Sequence, residues 1–294
     1  DGQRFLALLQ DLTVHVPPQV NFNDLKIPFR AVATRYRDGE MKVFDRGALH
    51  LAIRASMAAP AVFAHVDIDG ETYVDGGLVA NLPIEVALQE GADVVIASYL
   101  AAGAEEAQAA PASHALVVAN RMVDILIRQN EKRNLAQLRP QDILVSQTLQ
   151  DVSFADFNRA PEIVQRGQAA VAQVKSRWAP LQMARDASRP SGTAQQLSFD
   201  QREKRIVAIQ AQGQKDVSEH YIQTVMAPLL SHEFSSVDTE RHIDTLYTSG
   251  FFDLVSYSLQ QLQGDQYALV VQVREKPYSP HFLKTSMGLS TEKN

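Results

Sequence analysis

The residue in this sequence whose type and position best suit catalysis is an acidic residue followed by two glycines. Asp75-Gly76-Gly77 follows a segment that predicts a strand and precedes one that predicts a helix. A carboxylate at the carboxyl edge of a sheet lies where open α/β folds bind their ligands, and it can act as a general base. Glycines behind it permit positive φ and close backbone approach. An isolated Asp-Gly-Gly is more often a tight turn with local hydrogen bonds, so the tripeptide alone leaves both interpretations open.

The segments around Asp75 alternate between strand-like and helix-like patterns. Apolar spacing, Asp-Gly turns and prolines at helix starts predict both kinds of element. The predicted strands are 28–36, 42–44, 66–68, 72–74, 94–98 and 143–145, and the predicted helices are 46–57, 83–90, 116–138 and 161–178. This alternation predicts an α/β architecture, with 94–98 as a buried strand of a parallel sheet.

The composition changes after this region. Residues 183–198 are rich in Ala, Ser, Gln, Pro and Gly without any period, which predicts a linker. Residues 199–276 then predict a small α+β domain with the order β-α-α-β-β. Residues 277–294 alternate apolar and polar side chains after two prolines, which predicts the first strand of a further, truncated element.

Several motifs in the first half resemble the patatin-like phospholipase family. They run in the family's order and read PFRAVAT from Pro28, AIRASMAAP from Ala52, YVDGGLVANLP from Tyr73 and GADVVI from Gly91. The resemblance covers roughly residues 1–182 and implies part of a three-layer α/β/α domain. It also implies a Ser-Asp dyad that hydrolyses phospholipids or other acyl esters without a cofactor. Asp75 matches the family's catalytic Asp, and Gly76 and Gly77 complete its DG[GA] motif.

The nucleophile of such a dyad has no counterpart in this sequence. No G-x-S-x-G motif and no Gly-rich oxyanion loop occur in the 294 residues. Ser56 lies in a helical run that stops before Pro60, so we interpret it as a packing or capping residue. We therefore expect an N-terminally truncated domain that carries the base, lacks the serine and is inactive by itself.

Residues 199–276 resemble a POTRA domain, the periplasmic module attached to outer-membrane barrels. The matching segments are IVAI from Ile206, LYTSGFFDLV from Leu246 and LVVQVRE from Leu269. With residues 277–294 as a truncated barrel, the layout is that of type Vd patatin-like autotransporters. The resemblance implies an outer-membrane protein of a Gram-negative bacterium that interacts with the barrel-assembly machinery. The alternative is a non-catalytic secretion or assembly module with a pseudoenzyme passenger.

Composition excludes several other classes. The 28 basic and 34 acidic residues give a net charge of −6, which argues against nucleic-acid binding. The sequence contains no cysteine, so thiol nucleophiles and disulfides are excluded. Its eight histidines form no H-E-x-x-H or similar spacing, and we expect no metal site.

Overall fold

The computed structural model describes residues 2–17, 19–60, 62–101, 115–149, 151–152, 156–177, 181 and 204–276 of the 294. The predicted linker at 183–198 and the predicted barrel start at 277–294 lie outside the described residues. The domain boundaries predicted there stay predictions.

The described residues form a mixed α/β structure. In chain order the elements are α1 (Gly2–Thr13), β1 (Val20–Asn21), β2 (Ala31–Arg35), β3 (Met41–Phe44), β4 (Arg46–Gly47), α2 (Leu49–Ser56), β5 (Val66–Ile68), β6 (Glu71–Asp75), α3 (Gly77–Ala80), α4 (Ile84–Gln89), β7 (Ile96–Ala101), α5 (Ala115–Leu135), β8 (Ile143–Thr148), α6 (Ala160–Gln173), β9 (Arg205–Gln212), α7 (Glu219–Met226), α8 (Ser236–Thr248), β10 (Phe252–Gln263) and β11 (Gln266–Glu275). Short 3-10 turns span Phe157–Arg159 and Ala227–Leu229.

The described residues separate into two compact units. One contains residues 22–45 and the described part of 52–196; the other contains residues 2–21 and 46–51 and the module from residue 204 to residue 276.

The first unit contains the sheet that carries Asp75. Its strand order is β3-β2-β6-β5, and all three pairings are antiparallel. The central strand β2 is buried over four of its five residues, as expected for a strand with neighbours on both sides. Asp69 and Gly70 both have positive φ in the β5–β6 turn, which is the geometry of a tight hairpin.

The predicted Asp-Gly hairpins are confirmed and make this sheet antiparallel; Asp75 lies at the end of β6, but the sheet has no shared carboxyl edge of the kind found in open α/β folds. Two hairpins build the sheet, and a short hairpin turn forces its strands to run antiparallel. Parallel pairing occurs instead between β7 and β8. Strand β7 begins at Ile96, two residues later than the predicted start at Val94.

Helix α2 also begins later than the prediction at Arg46. Arg46 and Gly47 pair with Asn21 and Val20 as strand β4, and Gly47 has a φ of 109° that no helix contains. The helix therefore starts at Leu49 and ends at Ser56.

The C-terminal module has the element order β-α-α-β-β. Its sheet order is β10-β11-β9, with β11 antiparallel to β10 and parallel to β9. Ser218 and Ser235 cap helices α7 and α8, each accepting a hydrogen bond from a backbone N–H. One apolar core joins helices and sheet; its largest fully buried members are Phe252, Ile206, Ile222, Met226, Leu246 and Leu269.

Candidate active site

The backbone of Asp75 is fixed on both sides. Asp75 is the last residue of β6 and pairs with Ala33 of β2. Its N–H donates to the carbonyl of Ala58 at 3.1 Å, and its own carbonyl accepts from the Thr34 hydroxyl at 2.7 Å. The segments that contain Ala58 and Thr34 therefore fix the position of the Asp75 backbone, and with it the point from which the carboxylate side chain projects.

A short turn holds the Asp75 carboxylate. The Gly77 N–H, at the start of α3, donates to Asp75 Oδ1 at 2.6 Å. Gly76 has an ordinary φ of −66°, so its backbone conformation does not demand glycine. Glycine is required here by the lack of space, because a Cβ at Gly76 would lie 2.1 Å from the carbonyl oxygen of Val32. The first glycine therefore lets the turn approach β2, and the second supplies the N–H.

The environment of Asp75 makes its carboxylate more basic than usual. The residue is half-buried, and this burial raises its pKa above the ordinary value because it penalises the charged form. The Gly77 hydrogen bond acts in the opposite direction and only partly offsets burial. A carboxylate with a raised pKa accepts a proton more readily at neutral pH, as a general base must.

Asp75 lines an open cleft of about 290 Å³. Apolar side chains make up much of its wall: Phe29, Val32, Ile53, Met57 and Pro83. Arg30 also lines the cleft, and its guanidinium is held by Glu90 and by Asn23 at 2.7 Å. The cleft thus offers a carboxylate beside an apolar surface, a combination suited to an apolar substrate with one polar reacting group.

Ser56 also lines this cleft, at the last residue of α2. Its carbonyl accepts the N–H of Gly76 at 3.3 Å, so its main chain supports the turn. Within the described part of the chain, no hydrogen bond joins the Ser56 hydroxyl to Asp75. The interpretation of Ser56 as a packing residue stays a prediction.

A second group of polar residues behind the turn was missed by the sequence analysis. Asn81 Nδ2 donates to Glu131 Oε1 at 2.7 Å, and the Tyr99 hydroxyl donates to Glu131 Oε2 at 3.3 Å. Asn130 Nδ2 donates to the carbonyl of Leu78 at 2.5 Å. No sequence pattern indicates these pairs, because α3 and α5 lie about fifty residues apart along the chain.

The described residues contain no group of three or more His, Cys, Asp or Glu side chains arranged to hold a metal ion. Among the helices of these same described ranges, none is both long and apolar enough to cross a membrane.

Comparison with known proteins finds similarity to patatin-like phospholipases in the N-terminal part of the chain. The family model "Patatin-like phospholipase" matches residues 5–88, a range that includes Asp75, Gly76 and Gly77.

Two curated relatives are each similar to about a quarter of this chain. An uncharacterised NTE family protein of Mycobacterium bovis is 42% identical over 78 residues, which are 26% of this chain and 22% of the relative. The rat patatin-like phospholipase domain-containing protein 7 is 40% identical over 76 residues, which are 25% of this chain and 6% of the relative. The chain therefore spans about a fifth or less of the length of these relatives.

Proposed function

We propose that this chain supplies the general base of a serine-dependent lipid acyl hydrolase. Asp75 is the base, and Gly76 and Gly77 shape the turn that holds it. The substrate is a phospholipid or another acyl ester. The observation that carries the proposal is the half-buried Asp75 carboxylate, which has a raised pKa, accepts one backbone N–H and lines a largely apolar cleft.

The proposed reaction needs one nucleophile and one base. A serine oxygen attacks the ester carbonyl carbon while Asp75 takes the serine proton. Backbone N–H groups stabilise the oxyanion until it collapses to the acyl-enzyme, and Asp75 gives the proton to the leaving alcohol. Water then attacks the acyl-enzyme, with Asp75 again accepting and returning a proton, and the free acid leaves.

The nucleophile is proposed to come from sequence outside these 294 residues, because they contain no G-x-S-x-G motif. The oxyanion hole is assigned to the same outside segment. The three-layer α/β/α sandwich is likewise proposed for the complete domain. We therefore expect the 294-residue chain to be inactive by itself towards acyl esters.

Residues 199–294, the C-terminal third of the chain, are proposed to attach this hydrolase to the outer membrane. The order β-α-α-β-β and the mixed three-stranded sheet support a POTRA domain at residues 199–276. Residues 277–294 are proposed to begin a barrel, as in type Vd autotransporters. The location is then the outer membrane of a Gram-negative bacterium, with the barrel-assembly machinery as partner and the hydrolase domain in the periplasm or at the cell surface.

Labelling with a fluorophosphonate tests the enzymatic proposal. The product of the complete coding sequence is expressed in outer membranes, and its labelling rate is compared with that of Asp75→Asn. We expect Asp75→Asn to lower the rate by about 10²- to 10⁴-fold, the usual contribution of a general base. Asp69→Asn is the matched control, since it makes the same chemical change in the exposed hairpin turn and asparagine tolerates the positive φ found there.

Two results would contradict the proposal. Equal labelling of Asp75→Asn and the wild type would remove Asp75 as the base. Absence of labelling in the folded, membrane-inserted wild type would instead favour the pseudoenzyme passenger of a secretion module. Hydrolysis of a short-chain ester by the 294-residue chain would overturn the assignment of the nucleophile to an outside segment.

A further inference from the structure

Glu131 is a buried carboxylate that the proposed reaction does not use. It lies on α5 and is only 6% exposed. A buried carboxylate requires hydrogen-bond donors. Asn81 and Tyr99 supply them, one to each oxygen of Glu131. A buried acid with both oxygens bonded, directly behind the catalytic turn, calls for a functional explanation.

Glu131 determines how the Asn81 amide is oriented. Asn81 Nδ2 donates to Glu131 Oε1, so the NH₂ group of the Asn81 amide faces Glu131 and its Oδ1 faces away. That oxygen lies over Gly77: a Cβ built at Gly77 would be 3.0 Å from Asn81 Oδ1 and 3.0 Å from Asp75 Oδ1. The oriented amide therefore packs on the residue whose N–H binds Asp75.

The same contact secures the short helix that carries this N–H. Helix α3 has only four residues, Gly77–Ala80, and its N-cap Gly76 provides no side-chain hydrogen bond. So short a helix cannot hold itself, because nucleation is costly. Asn81 follows α3 directly and ties its end to α5, while Asn130 of α5 donates to the carbonyl of Leu78 within it.

We propose that Glu131 is a positioning residue of the active site: by holding the Asn81 amide, it keeps α3 in the place where the Gly77 N–H reaches the Asp75 carboxylate. This inference rests on the proposed role of Asp75 as base. Glu131 acts through Asn81 and Gly77 and contacts no reacting atom.

Two substitutions at Glu131 separate positioning from charge. Glu131→Gln keeps an oxygen that accepts from Asn81, and its NH₂ can donate to the Tyr99 oxygen. Glu131→Ala removes both contacts. Gln129→Ala is the matched control on the same helix, since Gln129 is exposed to solvent.

The first readout needs no nucleophile. Selective ¹⁵N-glycine labelling of the 294-residue chain gives at most 14 backbone signals. The Gly77 amide should shift with pH as Asp75 ionises, and Asp75→Asn, which abolishes that shift, identifies the signal. Arg30, paired with Glu90, is the other charged residue that lines the cleft.

We expect Glu131→Ala to reduce the amplitude of this Gly77 titration by about half or more, because a charge-assisted hydrogen bond depends on distance and alignment. Glu131→Gln and Gln129→Ala should keep the wild-type amplitude. An unchanged amplitude in Glu131→Ala would overturn the proposal. An equal loss in Glu131→Gln would also overturn it, because charge and not position would then be responsible.

The second readout uses the complete gene product. Glu131→Ala should slow fluorophosphonate labelling by about tenfold to a hundredfold, the effect expected from a small displacement of a catalytic group, and Glu131→Gln should restore it. If Asp75→Asn labels normally while the Gly77 titration behaves as described, the proposed function fails and the positioning contact stands. If Asp75→Asn is inactive and Glu131→Ala leaves the Gly77 titration unchanged, the positioning role of Glu131 is wrong while the proposed function stands.

Discussion

Asp75 and Glu275 each end a β-strand, one in each unit, and each carboxylate accepts hydrogen bonds from the backbone of a nearby turn. Asp75 accepts one, from Gly77 at 2.6 Å. Glu275 accepts three, from the N–H groups of Lys215, Asp216 and Val217, the shortest at 2.7 Å.

Their pKa values move in opposite directions. Burial is the larger influence on Asp75 and raises its pKa despite the bond from Gly77. Partial burial also acts to raise the pKa of Glu275, but its three backbone hydrogen bonds outweigh it and hold that pKa below the ordinary value. The number of donors thus separates a carboxylate that stabilises a turn from one that remains available to take a proton.

Both turns contain a glycine that approaches a strand carbonyl too closely for a side chain. A Cβ would lie 2.1 Å from the Val32 oxygen at Gly76 and 2.2 Å from the Val273 oxygen at Gly213. Gly213 also has a φ of 90°, a conformation that L-residues rarely adopt, whereas the φ of Gly76 is ordinary.

The largest predicted effect comes from alanine at these two glycines. Gly213→Ala combines a clash with backbone strain and should cost about 3 kcal/mol of unfolding free energy, and Gly76→Ala, with the clash alone, about 2 kcal/mol. Gly91→Ala isolates the strain, since Gly91 has a φ of 86° and open space, and it should cost about 1 kcal/mol. Urea unfolding of the 294-residue chain measures all three, and a Gly76→Ala chain as stable as the wild type would refute the close approach.

A smaller effect is predicted for Glu275→Gln. Glutamine has one carbonyl oxygen and no charge for three N–H donors, so we expect a loss of about 1 kcal/mol at pH 7, comparable to the loss of a helix cap. Because the folded pKa of Glu275 is lowered, its stabilisation is complete above the ordinary value of 4.5 and disappears as the pH falls through the folded value.

The pH dependence supplies the check on this prediction. Thermal unfolding of wild type and Glu275→Gln, followed from pH 7 downwards, should converge at acidic pH. Glu233→Gln is the control, an exposed acid in the same unit. A constant difference at every pH would show that the Glu275 charge does not stabilise the turn.

Local sequence patterns predicted much of what surrounds Asp75. The Asp38-Gly39 and Asp69-Gly70 dipeptides predicted the two hairpins, and positive φ at Gly39, Asp69 and Gly70 confirms turns of this kind. The element order of the C-terminal module was predicted for the same reason, because periodicity and caps are local signals.

Contacts between distant segments could not be predicted in this way. The need for glycine at position 76 comes from the Val32 carbonyl on another strand, and the Glu131–Asn81 pair joins elements about fifty residues apart. The three donors to Glu275 come from a turn about sixty residues earlier. Such pairs leave no spacing pattern in the sequence, because the residue type at each position depends on a contact with a segment that is distant along the chain.

The smallest predicted effect concerns Asp75. Its ionised carboxylate lowers the stability of the folded chain, whereas the ionised carboxylate of Glu275 raises it. The folded chain holds a proton on Asp75 more tightly than the unfolded chain does, because the folded pKa is raised above the ordinary value of 3.8. Ionised Asp75 therefore costs folding free energy, and the wild type loses stability as the pH rises from 3.8 through the folded value. Asp75→Asn escapes this loss and still accepts the Gly77 N–H through its amide oxygen.

Asp75→Asn should therefore unfold at a slightly higher temperature than the wild type at pH 7, with a gain of about 0.5 kcal/mol or less for this partly solvent-screened group. The gain should vanish below pH 3.8, where neither chain carries a charge at this position. Differential scanning calorimetry at both pH values makes the comparison, with Asp69→Asn as the exposed control. If Asp75→Asn is less stable at pH 7, then Asp75 stabilises its turn as Glu275 does. A residue retained for catalysis is expected to lower the stability of the folded chain. Lower stability of Asp75→Asn would therefore count against Asp75 as the base.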